Sequence, residues 1–531
     1  MWVDLLADEI LRTRPEPRHV INDAKSPSGR IHVGSLRGVI LHDCVARGLG
    51  DRNVPAEFLY GYDDYDPVDA VPVGHEDLAP HLGRPLCDVP SPDASAAPNF
   101  ARYYADEFTR VFTRLGATPK IYWGSEMYRS GVFDNAIRVA LDHGAEIMEL
   151  DRAISGSRKA ERHPVQIICE SCGRIVTTVV VDWDGETVAY ECRLDKVTWA
   201  KGCGFQGRRA PFGGASKLSY ITEWAAKWRI LHVTVEGAGK DHMTRGGSFD
   251  RAAAIAETIY GYPRPFAIPY EFILVGGRKM RSSTGVGTPA AEFADLLRPE
   301  LARFAIVRPH YRQHVNFDPG GETIPTLYDE FDRAAAAYAG RHPDPDLART
   351  FYYSNPAPGS EHVFRPRFTH VAHLSQIPSV DVAAEVAREK GAPLSEADRH
   401  ELAARLADAR KWLETYAPPA HRFEVQPVLP EAAADLSDAQ RRFLADLAPL
   451  VEHGASGEAL HAQIHVLKGE HNLTPKAAFS AIYLAFLGKE SGPQAGWFLA
   501  ALDRSFAAQR LREAAAAAPV RNADVRSDVS P

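Results

Sequence analysis

A glycine-containing loop between a short apolar strand and a long helix is the feature that most constrains the fold of this chain. Residues 18–25 have the apolar character of a strand, residues 26–30 are turn-forming, residues 33–49 have helical periodicity, and a second strand fits residues 54–66. A strand, a helix and a second strand in this order form a parallel βαβ unit, which binds ligands at the carboxyl ends of its strands. We therefore predict an α/β fold with a Rossmann-type parallel sheet.

The first loop has the composition of a nucleotide-binding site. Its residues 27–35 read PSGRIHVGS. Small residues let a nucleotide approach the backbone, and the N-terminus of the following helix offers free amides to phosphate. We expect His32 to donate a hydrogen bond to an α-phosphate, although such a glycine turn taken alone is more often structural. The ATP contacts expected from this loop are Ser28, Gly29, His32, Gly34 and Ser35.

A second loop offers cations and hydroxyls, in the order Lys279, Met280, Arg281, Ser282 and Ser283, between flanking glycines and after a predicted strand at 271–275. Forming an adenylate requires cations and hydrogen-bond donors around a triphosphate as charge moves to pyrophosphate. Taken alone, this segment is better explained as a charged surface loop. Paired with the first loop on the other half of one nucleotide fold, it is a much more specific signal.

Four of the six cysteines fall within one β-rich stretch, at Cys169, Cys172, Cys192 and Cys203. Four thiolates suffice for the tetrahedral coordination of a structural zinc ion. The spacing after Cys192 is longer than in a second CxxC knuckle, so a ribbon without metal, or four free thiols, is the alternative. We predict a zinc-ribbon-like module inserted into the nucleotide fold.

The two loops resemble the HIGH and KMSKS signatures of class I aminoacyl-tRNA synthetases. The runs LYGYDDYDP at 59–67, MYRSG at 127–131, EGAGKDH at 236–242 and LYDEFDR at 327–333 resemble the class I lysyl-tRNA synthetases in particular. The segment at 472–503 is similar to that family's C-terminal helical region. The resemblance therefore extends over nearly the whole chain.

This resemblance implies a lysine-tRNA ligase that activates lysine with ATP and Mg²⁺ and transfers it to tRNA(Lys). It implies catalytic roles for His32, Lys279, Arg281 and Ser283, further ATP contacts from Met280 and Ser282, and an adenylate pocket bordered by Asp241 and His242. The candidates for binding lysine are Ser28, Asp63, Asp64, Glu223, Trp224 and His242.

The chain departs from the family pattern at two places. The first motif commonly ends in an acid suited to holding the lysine ammonium, and Gly38 stands there in this chain. Without that acid, we expect Asp63, Asp64 or Glu223 to supply the carboxylate. In the second motif, Thr284 replaces a lysine and Arg281 adds a cation. Two alternatives stay open, namely a diverged paralogue that loads another acceptor and an inactive synthetase-like RNA-binding protein.

Composition and periodicity indicate the remaining organisation. The net charge of −8 argues against coating of nucleic acid through overall charge. No apolar run approaches the ~20 residues of a membrane helix, and the N-terminus has no features of a secretory signal, so we expect a cytoplasmic protein. We also expect it to be a monomer. Helical periodicity fits 130–150, 437–453, 457–468, 474–488 and 493–516. The predicted domains are a Rossmann first half at 1–155, the inserted module at 156–215, a Rossmann second half at 216–290, a stem-contact region at 291–345, an all-α anticodon-binding region at 346–516 and a disordered tail at 517–531.

Overall fold

The computed structural model describes residues 1–71, 74–94, 96–156, 163–275, 289–355, 357–378 and 380–517. The chain forms two compact units. Unit 1 comprises Met1–Phe317 and Gly340–Ala357, and unit 2 comprises Asp318–Ala339 and Pro358–Pro531. No helix among the described residues is both long enough and apolar enough to span a bilayer. The predicted disordered tail lies outside the described residues from 518 onwards.

The strands belong to unit 1 and have the bounds β1 His19–Lys25, β2 Ala56–Tyr62, β3 Lys120–Trp123, β4 Val165–Ile167, β5 Thr178–Trp183, β6 Val188–Cys192, β7 Gln206–Arg209, β8 Ser216–Leu218, β9 Val235–Gly239, β10 Phe266–Tyr270, β11 Ile273–Val275 and β12 Val315–Phe317.

The helices have the bounds α1 Trp2–Thr13, α2 Val33–Gly50, α3 Phe100–Arg114, α4 Gly124–Arg129, α5 Asp134–Asp142, α6 Gly144–Ser155, α7 Tyr220–Leu231, α8 Ser248–Thr258, α9 Ala290–Leu296, α10 Pro299–Val307, α11 Thr323–Tyr338, α12 Pro345–Tyr353, α13 Phe368–Leu374, α14 Val382–Lys390, α15 Glu396–Thr415, α16 Asp438–Glu452, α17 Gly457–Glu470, α18 Pro475–Leu487, α19 Ala495–Ala501 and α20 Arg504–Ala516. Helices α11 and α13 to α20 lie in unit 2, and the others lie in unit 1.

Unit 1 is built on a five-stranded sheet in the order β10-β9-β1-β2-β3, with every neighbouring pair parallel. The central strand β1 pairs Ile21 with Phe58 of β2 and with Val235 of β9. Its residues 19–23 are buried, as a parallel sheet covered by helices on both faces requires. The predicted α/β fold with a Rossmann-type sheet is confirmed.

A small antiparallel module interrupts this sheet, as the sequence predicts. Strands β5, β6 and β7 form a three-stranded antiparallel sheet, and β4 pairs with β8 at its base. The pairing of Val165 with Leu218 brings the two ends of the insertion together. The insertion therefore leaves and rejoins unit 1 at neighbouring points.

Three sequence predictions differ from the structure in detail. The helix predicted over 130–150 is divided into α5 and α6 at Gly144, where a side chain would come within 3.4 Å of the His163 ring. The helix predicted over 493–516 is divided into α19 and α20, because Asp503 caps a new helix there. Strand β10 was missed because prolines such as Pro269 weaken a strand pattern, yet an edge strand tolerates them.

Among its described residues, unit 2 contains helices joined by loops and no β-strand. Helix α15 begins with a capping box in which Ser395 and Asp398 exchange side-chain and backbone hydrogen bonds, as predicted from these two residues. Helices α16, α17 and α18 match their predicted ranges closely and bury a shared apolar core that includes Phe443, Ile482 and Phe486.

Candidate active site

A cavity of about 530 Å³ opens at the carboxyl ends of the parallel strands β1, β2 and β9. Strands β1 and β9 are neighbours in the sheet, although the chain continues from β1 in the opposite direction to β2 and β3. Open α/β sheets bind their ligands at such a reversal of strand order. The charged side chains lining the cavity include Asp23, Lys25, Asp63, Asp66, Lys217, Glu223, Lys227, Glu236 and Asp241.

His32 lines this cavity from the N-terminus of α2. Its Nδ1 accepts a hydrogen bond from the backbone N–H of Gly34 at 3.0 Å. Burial, with repulsion from Lys25, lowers the pKa of His32 to about 4, so the ring is neutral near pH 7. Because Nδ1 is the acceptor, the single proton of the neutral ring lies on Nε2. His32 can therefore donate from Nε2 to an anionic oxygen bound in the cavity.

The small residues around His32 keep this geometry open. A Cβ atom at Gly34 would lie 2.7 Å from Cε1 and 2.8 Å from Nδ1 of His32, so only glycine allows the ring to fold back onto its own helix terminus. Gly34 and Ser35 both line the cavity. Ser28 and Gly29 belong to the same loop and lie outside the cavity lining.

Asp241 and His242 reach the same cavity from the end of β9. Both are exposed, and Nδ1 of His242 lies 3.4 Å from the hydroxyl of Tyr220. The structure thus brings the EGAGKDH run and the first loop together at one cavity, and their role in bordering an adenylate stays a prediction.

Trp224 forms part of the cavity wall through a buried partner that the sequence interpretation did not single out. The indole Nε1 of Trp224 donates a hydrogen bond to the Glu236 carboxyl at 3.0 Å, and the indole Nε1 of Trp228 donates to it at 2.9 Å. The side-chain amide of Asn22 donates to the same carboxyl at 3.0 Å. Burial raises the pKa of Glu236 to about 8, so this carboxyl is mostly neutral near pH 7. The signal for it was an acid within an otherwise apolar strand.

Two of the three acids expected to bind lysine are held in buried ion pairs. Glu223 pairs with Lys217 and lies 2.9 Å from Lys227, and Lys227 also pairs with Asp63. Lys217 in turn lies 3.0 Å from Asp66. Burial acts to raise the pKa of Glu223, yet the two lysines hold it at about 2. Asp63 and Glu223 therefore line the cavity with their charges already matched.

Asp64 has a different position from Asp63. Its two carboxylate oxygens accept hydrogen bonds from the backbone N–H of Ser125 at 2.7 Å and from the Ser125 hydroxyl at 2.5 Å. It lies outside the cavity lining. Its contacts indicate that it fixes the start of α4 against the end of β2.

Arg37 is a buried cation whose role the sequence did not reveal. Its guanidinium donates to the carbonyl oxygens of Glu271 at 2.8 Å and His310 at 3.2 Å. Burial lowers the pKa of Arg37 to about 10, so the side chain remains charged near pH 7. It therefore ties α2 to the segment that follows β10 at the cavity edge.

The second predicted loop, with Lys279, Met280, Arg281, Ser282 and Ser283, lies outside the described residues, as does Thr284. The roles of these residues stay predictions.

The four clustered cysteines converge in the inserted module. Their sulfur atoms all lie within 4.8 Å of one another. Sγ of Cys169 is 3.6 Å from that of Cys203, and Sγ of Cys172 is 3.7 Å from that of Cys192. A tetrahedron with zinc-sulfur bonds of ~2.3 Å separates its sulfur atoms by ~3.8 Å. The backbone N–H of Cys203 also donates to Sγ of Cys192 at 3.3 Å, as expected around thiolates, so the donor set and spacing fit zinc.

Comparison with known proteins gives consistent relatives over the whole chain. A family model described as tRNA synthetases class I (K) matches residues 1–357. A lysine-tRNA ligase of Methanosarcina barkeri strain Fusaro is 34% identical over 551 residues, covering 98% of this chain and 99% of the relative. Lysine-tRNA ligase 1 of Methanosarcina acetivorans is 35% identical over 540 residues, covering 97% and 98%. A solved glutamate tRNA ligase from Elizabethkingia meningosepticum aligns with 94% of this chain and 99% of its own at 13% identity and a TM-score of 0.41.

Proposed function

Because this chain belongs to the class I (K) family of tRNA synthetases and is a lysine-tRNA ligase, we propose that the cavity at the end of the parallel sheet carries both of its half-reactions. The neutral His32, fixed against Gly34 with Nε2–H available to the cavity, is the observation that carries this proposal. The cavity also gathers Ser35, Asp241 and His242, which the sequence assigned to the same site.

The first half-reaction joins lysine to AMP. A carboxylate oxygen of lysine forms a bond to the α-phosphorus of ATP while the bond to the pyrophosphate oxygen breaks, giving lysyl-adenylate and pyrophosphate. His32 donates from Nε2 to an α-phosphate oxygen as charge builds there, and a fixed donor of this kind stabilises the transition state more than the ground state. We assign Lys279, Arg281 and Ser283 to the leaving pyrophosphate, and Met280 and Ser282 to the remaining nucleotide contacts.

Magnesium would accompany the triphosphate in this step and offset its negative charge, as in phosphoryl chemistry generally. The exposed Asp241, which lines the cavity, would offer the carboxylate oxygen that Mg²⁺ prefers.

The second half-reaction transfers lysine to tRNA(Lys). A hydroxyl of the terminal ribose attacks the adenylate carbonyl, and AMP leaves. We assign the anticodon arm to unit 2, where a cavity of about 270 Å³ is lined by Arg367, His373, His421, Trp497 and other residues. Aromatic rings beside a cation are suited to stacking unpaired bases, a contact worth ~1–3 kcal/mol for each base. Trp497→Ala should raise the KM for tRNA by about 10-fold and leave the KM for lysine unchanged.

The cysteine cluster holds one structural zinc ion in this proposal. Cys169, Cys172, Cys192 and Cys203 supply four sulfur ligands and leave no open position, so the ion stabilises the module and takes no part in the chemistry. We further propose that the protein acts as a monomer in the cytoplasm, where tRNA is charged for translation.

Charging of tRNA with radiolabelled lysine by the full-length protein tests the function. We expect lysyl-tRNA to form with ATP and Mg²⁺ present, and its formation to be lost when ATP is omitted. Binding of tRNA without any charging would instead support the inactive RNA-binding alternative.

A further inference from the structure

Asp23 is a buried acid of the cavity that, among the described residues, has no ion pair with a lysine or an arginine. Asp63 and Glu223 pair with buried lysines, Asp66 pairs with Lys217, and Glu236 accepts three hydrogen bonds and is mostly neutral. Asp23, at the end of β1, is only 8% exposed and also lines the cavity. Among the described residues it forms no ion pair with a lysine or an arginine.

The two carboxylate oxygens of Asp23 have different contacts. Oδ1 accepts a hydrogen bond from the backbone N–H of Ala24 at 2.8 Å. Oδ2 lies 3.3 Å from Nδ1 of the buried His42. Lys25 lines the same cavity, and Asp23 is the largest attractive charge on it, although no direct ion pair joins the two among the described contacts. A buried carboxylate is costly unless a cation lies close to it, so Asp23 is suited to bind a cationic group of a ligand.

Gly38 makes room for this carboxylate. Glycine inside a helix costs about 1 kcal/mol relative to alanine, so its presence within α2 needs a reason. A Cβ atom at Gly38 would lie 2.6 Å from Oδ2 of Asp23 and 2.5 Å from the hydroxyl of Tyr270. The glycine therefore opens the space in which the end of β1 and the end of β10 present a carboxylate and a phenol side by side.

Arg37 connects the helix and the strand that flank this space. It precedes Gly38 in α2 and donates a hydrogen bond to the carbonyl oxygen of Glu271, the residue after Tyr270. The separation between α2 and the end of β10 is therefore fixed by a buried charged hydrogen bond. An ammonium group entering this space meets an acid and a hydroxyl that are already in place.

We propose that Asp23, with the Tyr270 hydroxyl beside it, binds the side-chain ammonium of lysine and so determines the specificity of this site. The assignment rests on the proposed function and replaces the sequence-based expectation that Asp63, Asp64 or Glu223 holds the ammonium, because each of those acids already has buried partners.

The geometry also explains how neutral amino acids are rejected. A side chain without an ammonium group would seal Asp23 away from water and leave its charge unpaired. A site whose buried polar group is left unpaired by the wrong substrate discriminates far more strongly than an apolar pocket does. Discrimination between lysine and norleucine, which has the same carbon chain without the ammonium, therefore reports on Asp23 directly.

Asp23→Asn tests the assignment in ATP-pyrophosphate exchange with saturating tRNA present. We expect kcat/KM for lysine to fall by about 30-fold or more, with the KM for ATP within twofold of the wild type and norleucine activation not reduced. The exposed Asp106→Asn is the matched control and should behave as the wild type. Equal losses for lysine, norleucine and ATP would mark Asp23 as merely structural and overturn the assignment.

A relocated carboxylate provides a second, independent test. Gly38→Glu alone should lower lysine activation, because its Cβ meets Asp23 and Tyr270. The double variant Asp23→Ser/Gly38→Glu removes one of these clashes and returns an acid to the same space, so it should recover lysine activation at least tenfold over Asp23→Ser. No recovery, in a double variant that still binds ATP, would contradict the assignment.

An error in the proposed function and an error in the assignment of Asp23 give different experimental results. If the wild-type protein does not activate lysine at all, the proposed function is wrong and the assignment of Asp23 is wrong with it. If the wild type activates lysine and Asp23→Asn keeps the wild-type preference for lysine over norleucine, the function stands and only the assignment is overturned.

Discussion

Nδ1 of His32 accepts a hydrogen bond from the backbone N–H of Gly34 at 3.0 Å, which leaves the ring proton on the nitrogen that faces the cavity. His32→Asn separates the two roles of this side chain, because asparagine is a good N-cap and lacks the donor reach of Nε2. We expect kcat for lysine-dependent exchange to fall by about 100-fold with the fold intact. The exposed His342→Asn serves as control, and a kcat within threefold of the wild type for His32→Asn would exclude a catalytic role.

The buried ion pairs of Glu223 should contribute strongly to the free energy of unfolding. Glu223→Gln leaves Lys217 and Lys227 without their shared partner, and removal of one member of a buried ion pair costs about 3–5 kcal/mol. Because the folded-state pKa of Glu223 is held at about 2, below that of the unfolded chain, its contribution is complete above about pH 4.5 and is lost as the pH falls towards 2. Urea unfolding at pH 7 and at lower pH measures both effects. The exposed Glu149→Gln should cost little, and an equal cost for both variants would contradict the prediction.

The cysteine module should contain zinc that one cysteine substitution removes. Protein purified without added zinc should hold about one zinc per chain, and Cys172→Ser should hold close to none. Cys87→Ser is the matched control, since Cys87 lies outside the cluster. A metal-free wild type with an intact fold would refute the zinc site, whatever the behaviour of the variants.

Arg281 should compensate for the lysine that Thr284 replaces in the second loop. Arg281→Ala removes one cation from the leaving pyrophosphate and should slow adenylate formation by about 10-fold, equivalent to ~1.4 kcal/mol. Thr284→Lys in the same background should restore part of the rate. Exchange kinetics that do not change in Arg281→Ala would make Arg281 a bystander.

The parts of the molecule that were predictable from sequence depend on residues close together in the chain. The strand, loop and helix around His32, the capping box of Ser395 and Asp398, and the four cysteines of the inserted module are all patterns of local spacing. Local hydrogen bonds and side-chain periodicity determine such features. These features could therefore be predicted before any tertiary contact was known.

The side-chain partners within the cavity could not be predicted in this way. Asp23 lies against Gly38, and Glu236 accepts a hydrogen bond from Trp224, because the sheet places β1 beside β9 and because α2 and α7 pack near these strands. Glu223 was correctly placed near the site, yet its pairing with two buried lysines was not visible in the sequence. Which acid is matched and which is left for a ligand is a property of the tertiary arrangement.

Amino-acid-dependent ATP-pyrophosphate exchange, run across all twenty amino acids with and without tRNA, tests the central claim most directly. We expect exchange with lysine above all others in the wild type, and its loss in His32→Asn. Exchange that favours a neutral amino acid, or no exchange with any amino acid under either condition, would contradict it.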